Sequence, residues 1–181
     1  MNLAETLTKS STKNKRSIVF AAFGGEELGL FGSRHFVTTI KEPAKTIAML
    51  NMDMLGRGNP SEITIMGVLR SPDLYELFKK ANEQLGFTFK DNIEFAYRYG
   101  SDYYSFYQAK IPNLNFTSSR FSEEHTVNDT VDKLDIEKIY NVTNLVYNTI
   151  SQLVNSDIRF SAPKEVEVPF PGRGTGNPHG R

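Results

Sequence analysis

The chain contains no cysteine among its 181 residues. That absence removes disulfide scaffolds, thiol nucleophiles and cysteine-based zinc sites together, and it leaves the compartment open. There is no excess of either charge, since Lys+Arg and Asp+Glu stand at 21 each. Nothing therefore supplies the basic field that a phosphate backbone selects, and nucleic acid is not an expected partner. No apolar run approaches the about eighteen residues that a membrane span needs. The start, "MNLAETLTKSSTKNKR", lacks the charged-then-apolar order of a secretory signal and reads as a helical turn or two followed by a polar loop. What is present is ordinary globular material. Hydrophobic residues make up 39% and aromatic residues 12%, in a length that suits one domain with a real core.

Buried-strand and helix patterns alternate along the chain. "RSIVFAAF" (Arg16 to Phe23) is apolar on consecutive positions, as in a strand covered on both faces. Glu26 to Thr39 fits a helix or helical turn broken near Gly32. "KTIAMLNMDML" (Lys45 to Leu55) reads as a second apolar strand closed by "GRGNP", and "SEITIMG" as a third that alternates better. Ser71 to Gly86 carries a helix signature: Ser71 as N-cap, Pro72 at the first helical position, Leu74, Leu77, Ala81 and Leu85 on one face, and Gly86 as terminator. "IEFAYRYG" reads as a strand, "SDYYSFYQA" as a short helix and "IPNLNF" as a strand. Asp135 should cap a long amphipathic helix running through Ile139, Val142, Val146, Ile150 and Leu153. From Ser161 the chain is rich in Pro and Gly, an extended or disordered tail. No internal repeat is present. This order predicts an α/β fold, a three-layer α/β/α sandwich on a mixed, mostly parallel sheet.

Open α/β sheets bind ligands beyond the carboxyl ends of their strands. Glu26 and Glu27 follow the first strand in "VFAAFGGEELGLFGS", and Asp53 follows the second. Asp102 opens the short helix, and His125 lies in the polar loop "FSEEHTVNDTVD". Without thiolates, Glu, Asp and His are the ligands suited to zinc or another divalent ion. Neighbouring residues in a turning segment point in different directions. One carboxylate of an adjacent pair can thus hold a metal while the other faces a metal-bound water as general base.

Plainer readings compete with each of these. Two glutamates at a helix start are favoured by the macrodipole. Asp53 suits a turn, Ser101 and Asp102 suit a helix cap, and a loop histidine is commonly solvated. His35, on a helix, and His179, in the tail, keep that plainer reading. "GRGTG" in the tail lacks the Gly-Lys-Ser/Thr ending of a phosphate loop. Asn115, Asn128 and Asn141 each begin an Asn-x-Ser/Thr triplet, a pattern at chance level here.

Taken in order, "FAAFGGEELGLFGSRHF", "AMLNMDMLGR", "YGSDYYSFYQAKIPNLNF" and "EEHTVNDTVDKLD" resemble the co-catalytic zinc aminopeptidases of peptidase family M28, nearest in flavour to bacterial exported members. The resemblance covers Met1 to about Phe160. It implies a partial zinc-peptidase catalytic domain over 1–160, a tail over 161–181, and two zinc ions above the sheet. It further implies Glu26 as general base, Glu27 and His125 as ligands of one zinc, Asp53 as a ligand of the other, and Asp102 as a carboxylate just behind the metals. The implied activity is removal of N-terminal residues from peptide substrates, and the implied location is export.

The departures are equally specific. The family's upstream His-x-Asp and Asp-Asp-Asn segments, which supply a histidine ligand and the bridging aspartate, do not occur, and Met1 to Ser10 resembles the end of the helix after that aspartate. Tyr103 stands for the histidine of Ser-Asp-His, and Glu124 for the tyrosine before the ligand histidine. The expectations are a start in mid-domain, weak zinc binding with little hydrolysis, and self-association or a marginal monomer, because edge backbone and apolar surface would be uncovered. Two other functions stand beside the peptidase. One is a non-catalytic binding or interaction module on the same fold; the other is a one-zinc glutaminyl cyclase chemistry.

Overall fold

The computed structural model describes residues 2–9, 14–91 and 100–166. Its α-helices are α1 (Asn2–Lys9), α2 (Phe31–Thr39), α3 (Pro72–Asn82), α4 (Tyr103–Gln108) and α5 (Ile136–Val154). Its strands are β1 (Met49–Met52), β2 (Glu62–Met66), β3 (Thr88–Asp91) and β4 (Asn113–Thr117). The sheet order is β1-β4-β2-β3. β1 pairs with β4 in parallel, with Asn51 opposite Asn115, and β2 pairs with β3 in parallel. β4 and β2 run antiparallel, with Phe116 opposite Ile65. Two parallel pairings to one antiparallel make the mixed, mostly parallel sheet that the sequence predicts.

Alternation along the strands decides what each face holds. Ile63, Ile65, Leu114 and Phe116 point into one core, where α1 brings Leu3 and Leu7, α3 brings Leu74 and Phe78, and α5 brings Val142, Leu145 and Val146. The Phe78 and Phe116 rings sit 4.6 Å apart between centroids. The other face of β1 and β4 carries Asn51 and Asn115. There α4 and α2 pack through Phe36 and Phe106, with Phe23 completing a three-ring cluster.

The helices follow their sequence signals closely. Asp135 caps α5, its carboxylate accepting from the Lys138 N–H at 2.8 Å. Gly86, at φ +72°, ends the turn after α3 by donating to the Asn82 carbonyl. Ser71 does occupy the α3 N-cap position, but its hydroxyl accepts from the Asn113 N–H at 3.2 Å instead of capping. α3 buries Leu74 and Phe78 completely, whereas Leu77 is only half-buried. The Lys45–Leu55 strand shortens to β1, because Pro43–Lys45 forms a 3₁₀ turn before it.

Two expectations are corrected. α2 is not broken near Gly32; it runs through that glycine, preceded by a turn in which the Gly29 and Leu30 N–H groups both reach the Glu26 carbonyl. The segment from Arg16 to Phe23 carries no regular secondary structure and belongs to no ladder among the described residues. Val19 is 71% and Phe20 48% exposed. Consecutive apolar residues make a segment fit for burial, but coverage on two faces must come from neighbours, and the described sheet ends at β1. "IEFAYRYG" lies outside the described residues except for Gly100, and so does the tail after 166. Its described part, 161–166, has no regular secondary structure and is held in part by the Lys164 N–H donating to the Arg70 carbonyl. No helix among the described residues is long and apolar enough to cross a membrane.

Candidate metal centre

The parallel pair β1–β4 sets the site, because both strands end at the same edge. After β1 the Asp53 N–H makes one more ladder bond, to the Phe116 carbonyl at 3.0 Å, and its side chain leaves the sheet there. After β4 the chain enters the loop over 118–134 that carries His125. The Gly24–Leu30 turn brings up Glu26 and Glu27, and the start of α4 brings Ser101 and Asp102. Gly32 makes this assembly possible: a Cβ there would lie 2.7 Å from both the N and the O of Gly24. Only a glycine lets the first turn of α2 lie against the backbone that leads to the two glutamates.

Within this edge Glu27 Oε1 lies 3.1 Å from His125 Nε2, both side chains largely exposed. Asp53 Oδ2 accepts from the Ser101 hydroxyl at 2.9 Å. Behind Ser101, the Asn51 amide donates to Ser101 Oγ and to Asn115 Oδ1, each at 2.8 Å. Asp102 is buried, and its Oδ1 meets no protein partner. Burial raises its carboxyl above the usual range; a hydrogen bond from Ser33 lowers it and the Asp53 charge raises it. It sits at the N-cap position of α4 without a side-chain capping bond. Glu26 is pushed up to about 7, chiefly by partial burial, then by the charges of Glu27, Asp53 and Asp102, with His125 opposing them. The other four sequence-derived candidates thus all lie within electrostatic reach of Glu26. His35 stays on exposed helix surface, away from it, and His179 lies outside the described residues. Tyr103 is fully buried, its phenol pushed up to about 12 by burial. It serves the core, not the open edge.

Does this donor set fit zinc? Zinc bonds of 2.0–2.2 Å at a tetrahedral angle put two ligand atoms ~3.3 Å apart. The Glu27–His125 contact matches one edge of such a shell. A catalytic zinc takes three protein ligands, however, and among the described residues no group of three His, Asp or Glu is set to hold a metal. Asp53 offers one carboxylate for a second ion. The described residues therefore fit part of a zinc site and do not complete one.

Several contributors carry no sequence signal. Asn51 and Asn115 face each other only because of the β1–β4 register. Arg57 lies in a turn and is 9% exposed, and Lys138 looks like one polar position of a helix but is 1% exposed.

The model for peptidase family M28 matches residues 1–150. Aminopeptidase YwaD of Bacillus subtilis is 30% identical over 160 residues, which span 81% of this chain and 34% of that protein. A probable leucine aminopeptidase of Arthroderma otae is 27% identical over 179 residues, 87% of this chain and 47% of the relative. Among solved structures, BSAP, a zinc aminopeptidase from Bacillus subtilis, superposes with a TM-score of 0.73 at 26% identity, over 90% of this chain and 42% of that one. The Legionella pneumophila LapA aminopeptidase reaches a TM-score of 0.75 at 24% identity, over 85% and 43%, and shares the fold. This chain thus spans a third to a half of the length of these relatives.

Proposed function

Because the chain belongs to peptidase family M28, we propose that its carboxylate edge serves the zinc-dependent removal of N-terminal residues from peptides. The observation that carries this reading is the convergence of Glu27 and His125 at 3.1 Å, beside a Glu26 whose carboxyl is pushed up to about 7 by partial burial and neighbouring carboxylates. In this reading Glu27 and His125 hold one zinc and Asp53 contributes to a second. A carboxylate beside a metal-bound water can take its proton and give it back. Glu26 would accept a proton from the attacking water and return it to the departing amine, while the Ser101 hydroxyl keeps Asp53 in place and Asp102 lies just behind. Residues 1–160 would form part of the catalytic domain and 161–181 a tail.

The donor count sets the behaviour of this chain by itself. Two ligands should bind zinc more weakly than about 1 μM, well short of the affinities of complete sites. Zinc titration of the chain and of Glu27→Gln and His125→Ala tests the assignment, together with hydrolysis of aminoacyl-nitroanilides. Each variant should lose about tenfold or more in affinity, and turnover by the chain should stay near background. Unchanged affinity in both variants would overturn the ligand assignment. Tight stoichiometric zinc with robust turnover would overturn the incomplete site.

A further inference from the structure

His125 sits in a loop whose only regular element among the described residues is the 3₁₀ turn Val131–Lys133. Its backbone has φ +60°, a left-handed conformation uncommon for a non-glycine residue. A loop of this kind needs an external anchor to hold one side chain against Glu27. Arg57 supplies it. From the turn after β1, its Nη2 lies 3.1 Å from Glu123 Oε2, and its Nη1 donates to Asp129 Oδ1 at 2.5 Å. Its Cζ stands 4.2 Å from the centroid of the Phe121 ring. Glu123 and Asp129 bracket His125 in sequence, so both ends of the short stretch around the histidine are held by one guanidinium. Lys133 closes the stretch on itself, donating to Glu123 Oε1 and to the Asn128 carbonyl.

Arg57 is in turn held from behind by α5. Lys138 Nζ donates to the Arg57 carbonyl at 2.5 Å and to Ser118 Oγ at 3.2 Å. The Asp135 N–H donates to the Gly56 carbonyl at 2.8 Å. The turn fixed in this way is the one that begins at Asp53. A planar, always-charged fork is suited to two carboxylates and a ring at once; a single ammonium cannot span them.

We propose that Arg57 is a positioning residue that clamps the His125 loop, through Glu123 and Asp129, onto the turn carrying Asp53, and so fixes where His125 stands relative to Glu27. Its consequence for catalysis rests on the zinc-peptidase reading, whereas its test does not. The variant E123Q/D129N removes the carboxylate charges and leaves Arg57, Lys138 and the turn unchanged. In the metal-free chain, hydrogen exchange is followed over 119–134 and over α5, with the ¹⁵N shift of His125 Nε2 and the melting temperature. The expected result is exchange about tenfold or more faster across 119–134, a changed Nε2 shift, and unchanged protection of α5. Arg57→Ala should show the same pattern, and Arg57→Lys should recover part of it. Unchanged loop exchange and Nε2 shift in E123Q/D129N would overturn the clamp. So would a loss of protection spread evenly over the whole molecule, which would mark Arg57 as structural support alone. If zinc affinity proves independent of His125 while the loop still loosens, the peptidase reading falls and the clamp stands.

Discussion

Glu27 and His125, far apart in the chain, meet with Oε1 and Nε2 3.1 Å apart because two unlike devices aim them at one point. The glycine turn before α2 presents the carboxylate, and the loop after β4 presents the ring. Beside Glu27 stands Glu26, a carboxyl that partial burial and three neighbouring carboxylates drive upward. Concentrating like charges at one edge strains the metal-free protein, and that strain is measurable.

In the metal-free protein Glu26→Gln should stabilise the fold at pH 8 and do little at pH 4. A carboxyl raised to about 7 in the fold ionises more readily in the unfolded chain. Stability is therefore lost as pH rises from the ordinary carboxyl range through 7. Removing the group removes that loss, in keeping with the general opposition between stability and site function. Melting curves at the two pH values with a chelator present check it; equal shifts at both would refute the electrostatic account.

Gly32→Ala should destabilise the protein by ~1–3 kcal/mol, as expected for overpacking in a tightly packed region. The added methyl would meet Gly24 N and O at 2.7 Å, and backbone cannot swing aside. Gly56→Ala provides the comparison. There the nearest atoms are the tips of Ile139 and Leu134 at 2.8 and 2.9 Å, side chains that can repack. Chemical denaturation should rank Gly32→Ala as the more damaging of the two; the reverse order would show that the Gly24–Gly32 contact is not tight.

The helices and the sheet class were legible because their signals are local. Asp135 caps α5, Pro72 opens α3, and alternation marks β2, each needing only residues close in sequence. Arg16–Phe23 was misread because its pattern reports fitness for burial, while burial is a property of neighbours. The candidate site was legible chiefly through resemblance; spacing alone left every carboxylate with a plainer reading. Asn51 and Asn115 could not be read at all, since only the β1–β4 register sets them opposite each other. Arg57, in a turn, and Lys138, on a helix, have no periodic signature that distinguishes a buried cation from a solvated one.

Raising the pH should destabilise the chain between about pH 10 and 12 through Tyr103. The phenol is fully buried and pushed up to about 12, mainly by burial. Above its ordinary value the unfolded chain sheds this proton while the fold must keep it. Unfolding is therefore favoured by up to ~1.4 kcal/mol per pH unit until the folded phenol also ionises. Tyr103→Phe should flatten that part of the profile. Denaturant midpoints across the alkaline range decide it, and parallel profiles for the two proteins would remove Tyr103 as the cause.

The exposed segment from Arg16 to Phe23 should govern the solution state. Val19 and Phe20 present 71% and 48% of their surface on a stretch whose backbone joins no ladder among the described residues. Exposed apolar side chains of this kind favour association between molecules. We expect concentration-dependent self-association by sedimentation or light scattering. Replacing Val19 and Phe20 together with lysine should shift the distribution toward monomer without unfolding the core, because only Ile18 of the stretch from Ser17 to Ala22 packs against the main cluster. A sharp monomer peak for the unmodified chain at every concentration would mean that this surface is tolerated in water as it stands.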